Sequence, residues 1–150
     1  MKSASIYQLS EKSYLVHALN KAKSGFWIAS DPYKHIQEEL ISAGFLVSEI
    51  KSSLVTEDSE RVPDPKDWTL FNKEMLRKMG LKSSSVLHEK NVKYCSIRME
   101  NGMLTFTPSR HAEKLSEGFL HKNEGKVTIA YDAPDEEIFN SLGIAFSRCE

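Results

Sequence analysis

The stretch that decides the fold is residues 92–106, which read VKYCSIRMENGMLTF. Apolar and polar side chains alternate along its first half, as they do on the two faces of a half-buried strand. Asn101 and Gly102 then supply two residues that tolerate the positive φ of a tight hairpin turn. Residues 103–106 return as the partner strand, which Pro108 is expected to close. The sequence therefore predicts an antiparallel β-hairpin.

One helix is expected before this hairpin in the chain and another after it. Asp67 is the predicted N-cap of the first, and Gly80 is its predicted stop. A strand at residues 127–131 precedes the second. Its apolar face, read from the 3.6-residue spacing, consists of Ile138, Leu142, Ala145 and Phe146.

The first third of the chain reads as three short strands, at residues 6–9, 14–19 and 26–29. A polar connection, residues 10–13, joins the first two. Asp31 and Pro32 are typical of a helix start, so a helix is predicted from there to about Ser53. Its expected apolar face begins with Ile36, Leu40 and Ile41.

Together these elements predict an α+β fold: a mixed, mostly antiparallel sheet with helices packed against it. The chain has 150 residues, the size of one ordinary domain, so residues 1–150 are expected to form a single domain. A chain of this length can bury about 70% of the surface that it exposes when unfolded. It therefore needs no disulfide or metal to hold it together.

Charge and hydropathy exclude several classes of protein. Lys and Arg number 20 against 21 for Asp and Glu, and the formal net charge is -1. This balance argues against direct nucleic-acid binding, which depends on excess positive charge. Neither a signal peptide nor a membrane-length apolar run is visible, so a cytoplasmic protein without a membrane partner is expected.

Motifs for catalysis, metal or cofactor binding are missing from the sequence. The histidines lack metal-ligand spacing, and the glycines occur singly rather than in a phosphate-binding loop. Cys95 and Cys149 read as reduced core cysteines without a local partner. Cys149 is expected at the end of the last helix, where the dipole would raise its thiol pKa. We therefore predict no catalytic residue, no metal and no cofactor.

Two other functions remain open from the residues alone. One is a small cytoplasmic enzyme that uses Cys95 or a histidine as a reactive group. The other is a single-stranded nucleic-acid-binding domain, since Phe26 and Trp27 lie close to lysines and Tyr94 lies close to Arg98. The neutral overall charge and the strand-like alternation favour core packing of these aromatic residues instead.

Residues 56–67, here called the acidic loop, are predicted to be an exposed loop because they contain two prolines among many charges. Such a negative surface suits a basic protein partner and speeds its docking. The alternative is an ordinary solvated turn. The predicted partner-binding residues are its acids: Glu57, Asp58, Glu60, Asp64 and Asp67.

A spaced series of residues is more specific than any of these patterns. It comprises Asp67, Trp68, Lys73, Met75, Leu76, Gly80, Leu81, Lys82, Ser83, Leu87, Lys90, Cys95, Gly102, residues 104–106, Pro108, Gly118, Phe119 and a last helix ending in Ser147, Arg148 and Cys149. This series resembles the contact-dependent growth inhibition (CDI) immunity protein family. The resemblance covers most of the chain, and it is best from Trp68 to Cys149.

The resemblance implies a function that the residues alone do not. Proteins of this family act in the bacterial cytoplasm and bind the C-terminal toxin domain of a large exoprotein. The implied partner is a cognate toxin domain, typically a basic nuclease such as an RNase, in a heterodimer. The implied inhibitor is not an enzyme, because it covers the active site or the substrate surface of the toxin.

Overall fold

The strands form one antiparallel sheet in the computed structural model, which describes residues 1–9, 13–37, 39 and 41–150. Within those residues the sheet has seven strands: β1 (Lys2–Gln8), β2 (Tyr14–Lys21), β3 (Trp27–Ile36), β4 (Lys93–Glu100), β5 (Met103–His111), β6 (Phe119–His121) and β7 (Val127–Ala130). Their order is β3-β2-β1-β4-β5, and both β6 and β7 pair with the far edge of β5. The predicted α+β class with an antiparallel sheet is confirmed.

The predicted hairpin is formed by β4 and β5, with Glu100 opposite Met103 at the turn. Asn101 has a φ of 52° and Gly102 a φ of 75°. Positive φ at both central residues is what a type I′ hairpin turn requires, and Asn-Gly adopts it with little strain. The turn chemistry read from the sequence therefore sets the register of the two strands.

β5 continues past Pro108 to His111, so the prediction that this proline closes the strand is wrong. Proline has no N–H to donate, but its carbonyl oxygen can still accept. The backbone N–H of Lys122 donates to that oxygen at 2.8 Å. The polar stretch of residues 110–126 therefore includes the short strand β6, which pairs with the end of β5.

One face of the sheet is covered by the helices α1 (Ala43–Ser52) and α3 (Asp135–Ser147). α3 buries the four apolar residues that its spacing predicted. Removing apolar surface from water is the main term that stabilises such a layer. The largest fully buried side chains of this core are Ile6, Val16, Leu46, Val47, Ile50, Ile97, Leu104, Phe106 and Ile138.

The opposite face is partly covered by the helix α2 (Trp68–Met79). The Asp67 carboxylate caps it by accepting the backbone N–H of Leu70 at 3.1 Å. Gly80 ends it with a φ of 73°, as predicted. Met79 is the buried anchor of this helix and packs in a second, smaller cluster with Leu15.

The helix predicted from Asp31 to about Ser53 is wrong in its first half, because β3 extends over that region. The ladder between β2 and β3 pairs Ser30 and then Tyr33, which leaves Asp31 and Pro32 outside it. A register shift of this kind absorbs a proline that has no N–H to donate to the ladder. Long-range strand pairing has therefore overridden a local helix-start signal.

The second half of that prediction is confirmed as α1. Ser42 is its N-cap, and its hydroxyl oxygen accepts the backbone N–H of Phe45 at 3.2 Å. Two further predictions, Leu40 on the helix face and the connection through Ser10 to Lys12, lie outside the described residues.

Candidate functional site

The acidic loop links α1 to α2 and crosses one end of the sheet. Two isolated bridges anchor it: Glu57 pairs with Lys2, and Val62 pairs with Ala22. The Val62 N–H also donates to the carbonyl oxygen of Lys21 at 3.0 Å. Because these partners lie at the start of β1 and the end of β2, the loop is fastened to that end of the sheet.

Two of the predicted acids face the N-terminal ammonium group. The Met1 nitrogen lies 2.6 Å from Glu57 Oε2 and 3.3 Å from Asp58 Oδ1. The hydrogen bond to Glu57, assisted by Asp58, raises the pKa of the Met1 amino group. These two carboxylates therefore also hold the loop to the start of β1.

The remaining acids differ in what they contact. Asp64 Oδ1 accepts the backbone N–H of Ser24 at 3.1 Å, which ties the loop to the turn before β3. Asp67 is the cap of α2. The exposed Glu60 side chain forms no ion pair or side-chain hydrogen bond within the described ranges, so its charge is fully available. All five predicted acids thus lie on one anchored, charged segment.

Two exposed aromatic side chains lie close to the part of the acidic loop that holds Asp64 and Asp67. Phe26 follows the turn held by Ser24 and Asp64, and it is 67% exposed. Trp68, the residue after Asp67, is 46% exposed, and its ring meets the Phe71 ring edge-to-face at 5.7 Å between centroids. The core packing predicted for Phe26 is therefore wrong. Phe26 precedes β3, which begins at Trp27, and its side chain is left uncovered there.

The part of the second face that α2 leaves open holds a cavity of about 270 Å³. Small polar residues of β1 and β4 form its floor, because they alternate with the apolar residues that face the helices. In the sequence, this alternation predicted only that the segments are strands. It did not predict the cavity. Its lining includes Ser3, Ser5, Tyr7, His17, Trp27, Met75, Tyr94, Ser96, Arg98 and His121.

A family profile described as CDI immunity protein matches residues 7–149. This chain belongs to the CDI immunity protein family. A comparison with curated proteins finds no match.

Solved structures share the fold of this CDI immunity protein. A protein of unknown function from Neisseria meningitidis is 18% identical, with a TM-score of 0.72, over 99% of this chain and 95% of that one. A chain from a structure described as a CdiA-CT/CdiI toxin and immunity complex from Yersinia pseudotuberculosis is 20% identical. Its TM-score is 0.70, over 99% of this chain and 97% of that one.

Polar groups converge on the cavity of this family member. The Ser5 hydroxyl lies 3.0 Å from the Tyr94 hydroxyl, and burial raises the pKa of Tyr94. His17 Nδ1 lies 2.8 Å from the Ala18 carbonyl oxygen, and burial lowers the pKa of the imidazole. The buried Ser3 Oγ has no hydrogen-bond partner among the described residues. The imidazole and the hydroxyls therefore form a polar floor, to which Arg98 of β4 adds a positive charge.

The structure separates the cavity histidines from the buried thiol. Cys95 pairs with Ile6 and packs in the core beneath the helices. His17 pairs with Ser5 and lies on the other face, because successive side chains of a strand alternate. A Cys95–His17 catalytic pair would need hydrogen-bond reach between them, which the intervening sheet prevents. Within the described ranges, acidic, histidine and cysteine side chains form no cluster of three or more suited to a metal ion.

We expect the stability of this CDI immunity protein to fall as the pH drops from about 7.5 to 5.5. His17 has a lowered pKa when folded, so the unfolded chain binds more protons in this window, and stability rises with pH. The limiting slope for one proton is about 1.4 kcal/mol per pH unit. Urea unfolding at several pH values measures how the free energy of unfolding depends on pH. The His17→Gln variant should show a smaller slope. An unchanged slope in the variant contradicts the assignment.

Proposed function

We propose that this chain neutralises the C-terminal toxin domain of a CDI exoprotein by binding it one-to-one. The family match over residues 7–149 carries this proposal. No bond is made or broken in the mechanism, because the inhibitor works by covering the active site or the substrate surface of the toxin. The toxin that we propose is a nuclease, and the protection takes place in the cytoplasm.

The acidic loop is the proposed docking surface, because its charge is complementary to such a toxin. A nuclease binds a polyanion, so its substrate surface carries excess positive charge. Carboxylates on the inhibitor can take the places of substrate phosphates on that surface. Glu60 offers the freest charge, and Asp64 and Asp67 extend the negative strip toward α2. Charge complementarity of this kind mainly accelerates encounter and selects the partner.

The exposed aromatics beside the loop supply the apolar part of the same surface. Large aromatic side chains in the centre of an interface commonly contribute most of its binding energy. Phe26 and Trp68 are exposed close to Asp64 and Asp67, and their burial would remove apolar area from water. Val62 and Asp64 anchor the loop to the end of β2 and to the turn before β3. This anchoring keeps the surface ordered before binding, which reduces the entropy lost on association.

The proposal is tested by co-expressing this chain with the toxin domain encoded immediately upstream of its gene. We expect the two to co-purify as a one-to-one complex that buries roughly 1,600 Å² in total. Cells that carry both should grow, whereas cells with the toxin alone should stop. Nuclease activity of the purified toxin on RNA and DNA, with and without this chain, identifies the substrate.

Three results would count against the proposal. They are failure of the two chains to bind, turnover of a substrate by this chain alone, and retention of single-stranded nucleic acid on a filter by this chain at low salt. The second result would favour a small enzyme. The third would favour a nucleic-acid-binding domain.

A further inference from the structure

Cys95 and Cys149 are 54 positions apart in the chain, yet their Sγ atoms lie 3.7 Å apart. Both are free thiols, and together they are the complete cysteine content of the protein. Neither cysteine has a partner nearby in the chain, as predicted, but the fold brings the two distant thiols together. We propose that this pair is an oxidation site, at which a hydroperoxide closes an intrachain disulfide between β4 and the segment after α3.

The backbone holds the two thiols together. After α3 ends, the Cys149 N–H donates to the Phe146 carbonyl oxygen at 3.1 Å. Glu150 then pairs with β5: its N–H donates to the Ser109 carbonyl oxygen at 3.0 Å, and its carbonyl oxygen accepts the His111 N–H at 2.9 Å. The terminal segment therefore adds to the sheet beside Pro108, which is the cross-strand partner of Cys95.

The environment gives the two thiols different roles. Cys149 is partly exposed, and the hydrogen bond from Cys95 lowers its pKa to about 7. Cys95 is buried, and the hydrogen bond to Cys149 together with burial raises its pKa. The expected dipole effect on Cys149 is thus overridden by its neighbour. Because the thiolate is the nucleophile, Cys149 reacts first and Cys95 is the resolving thiol.

The chemistry balances in two steps. The Cys149 thiolate attacks a hydroperoxide oxygen, the O–O bond breaks, and after proton transfer the products are a Cys149 sulfenic acid and an alcohol or water. The Cys95 sulfur then attacks the sulfenic sulfur, and its proton leaves with the displaced hydroxide as water. Each sulfur loses one electron, and the peroxide gains both. The sulfur atoms must approach to about 2.05 Å, a movement that rotation of the partly exposed Cys149 side chain supplies.

The test treats the purified full chain with a small excess of hydrogen peroxide. We expect both thiols to disappear together, the mass to fall by two hydrogens, and a tryptic peptide with Cys95 to be linked to one with Cys149. The Tm should rise by about 5 to 10 °C, because the disulfide constrains the unfolded chain, and dithiothreitol should reverse it. In the untreated protein, the rate at which Cys149 is alkylated should reach half of its maximum near pH 7.

Cys149→Ser is the matched variant, because its side chain is partly exposed and the replacement keeps the size. It should lose the cross-link and the rise in Tm while Cys95 stays reduced. The proposal is overturned if the wild-type chain accumulates sulfinic or sulfonic acid at Cys149 alone. Disulfide-linked dimers, or two thiols that remain unreacted, overturn it as well.

Discussion

Replacing Glu57, Asp58 and Glu60 together by lysine is expected to slow association with the toxin domain by about 10- to 100-fold. The change turns the proposed docking surface from negative to positive, so a basic partner is repelled during encounter. Stopped-flow or surface-based kinetics at several salt concentrations measures the association rate constant. Wild-type association should slow with added salt, whereas association of the variant should not slow, because salt then screens a repulsion.

A matched control separates local charge from net charge. Glu113, Glu117 and Glu124 are also exposed acids, and their replacement by lysine changes the net charge equally at the far side of β5. A second variant, Glu57→Gln with Asp58→Asn, keeps acceptor oxygens for the Met1 ammonium group but removes their charge. If the first triple variant and the control associate at the same rate, the acidic loop is not the docking surface.

Phe106→Ala is expected to lower the free energy of unfolding by about 3 to 5 kcal/mol. Phe106 is 0% exposed and belongs to the core between the sheet and the helices α1 and α3. It sits on β5 between Ile97 of β4 and Val127 of β7, so its removal leaves a cavity that neighbouring strands cannot easily close. Domains of this size are stable by only about 5 to 15 kcal/mol, so the loss is a large share. Denaturation with urea measures it.

Phe26→Ala is the control for this experiment. The same truncation at a side chain that is 67% exposed should change the free energy of unfolding by less than about 0.5 kcal/mol. The same variant should weaken toxin binding, because Phe26 flanks the acidic loop. Equal destabilisation by the two variants would contradict the assignment of Phe106 to the core.

Local signals predicted the position of the candidate site in part. The loop itself followed from its prolines and charges, and the cap at Asp67 followed from its position before an apolar stripe. The sequence could not show that Glu57 and Asp58 face Met1, since that contact joins opposite ends of the first half of the chain. It also could not show that Phe26 is exposed, because an aromatic residue beside a strand more often packs inward.

The amino-acid sequence by itself determined the elements whose signals lie within a few residues. The Asn101-Gly102 turn, the alternation along β4 and the apolar face of α3 all have this character. Their geometry follows from backbone conformation and from side-chain periodicity, which are properties of neighbouring residues.

Only the tertiary structure decided the features that depend on distant partners. Pairing with β2 turned Asp31 and Pro32 from a helix start into part of a strand. The packing of α3 and the pairing of Glu150 with β5 brought Cys149 to Cys95. The partial cover by α2 left the cavity open on the second face. In each case the deciding contacts join residues far apart in the chain. At Asp31 and Pro32 they also outweigh a local preference, because ladder hydrogen bonds and buried area add up over many residues.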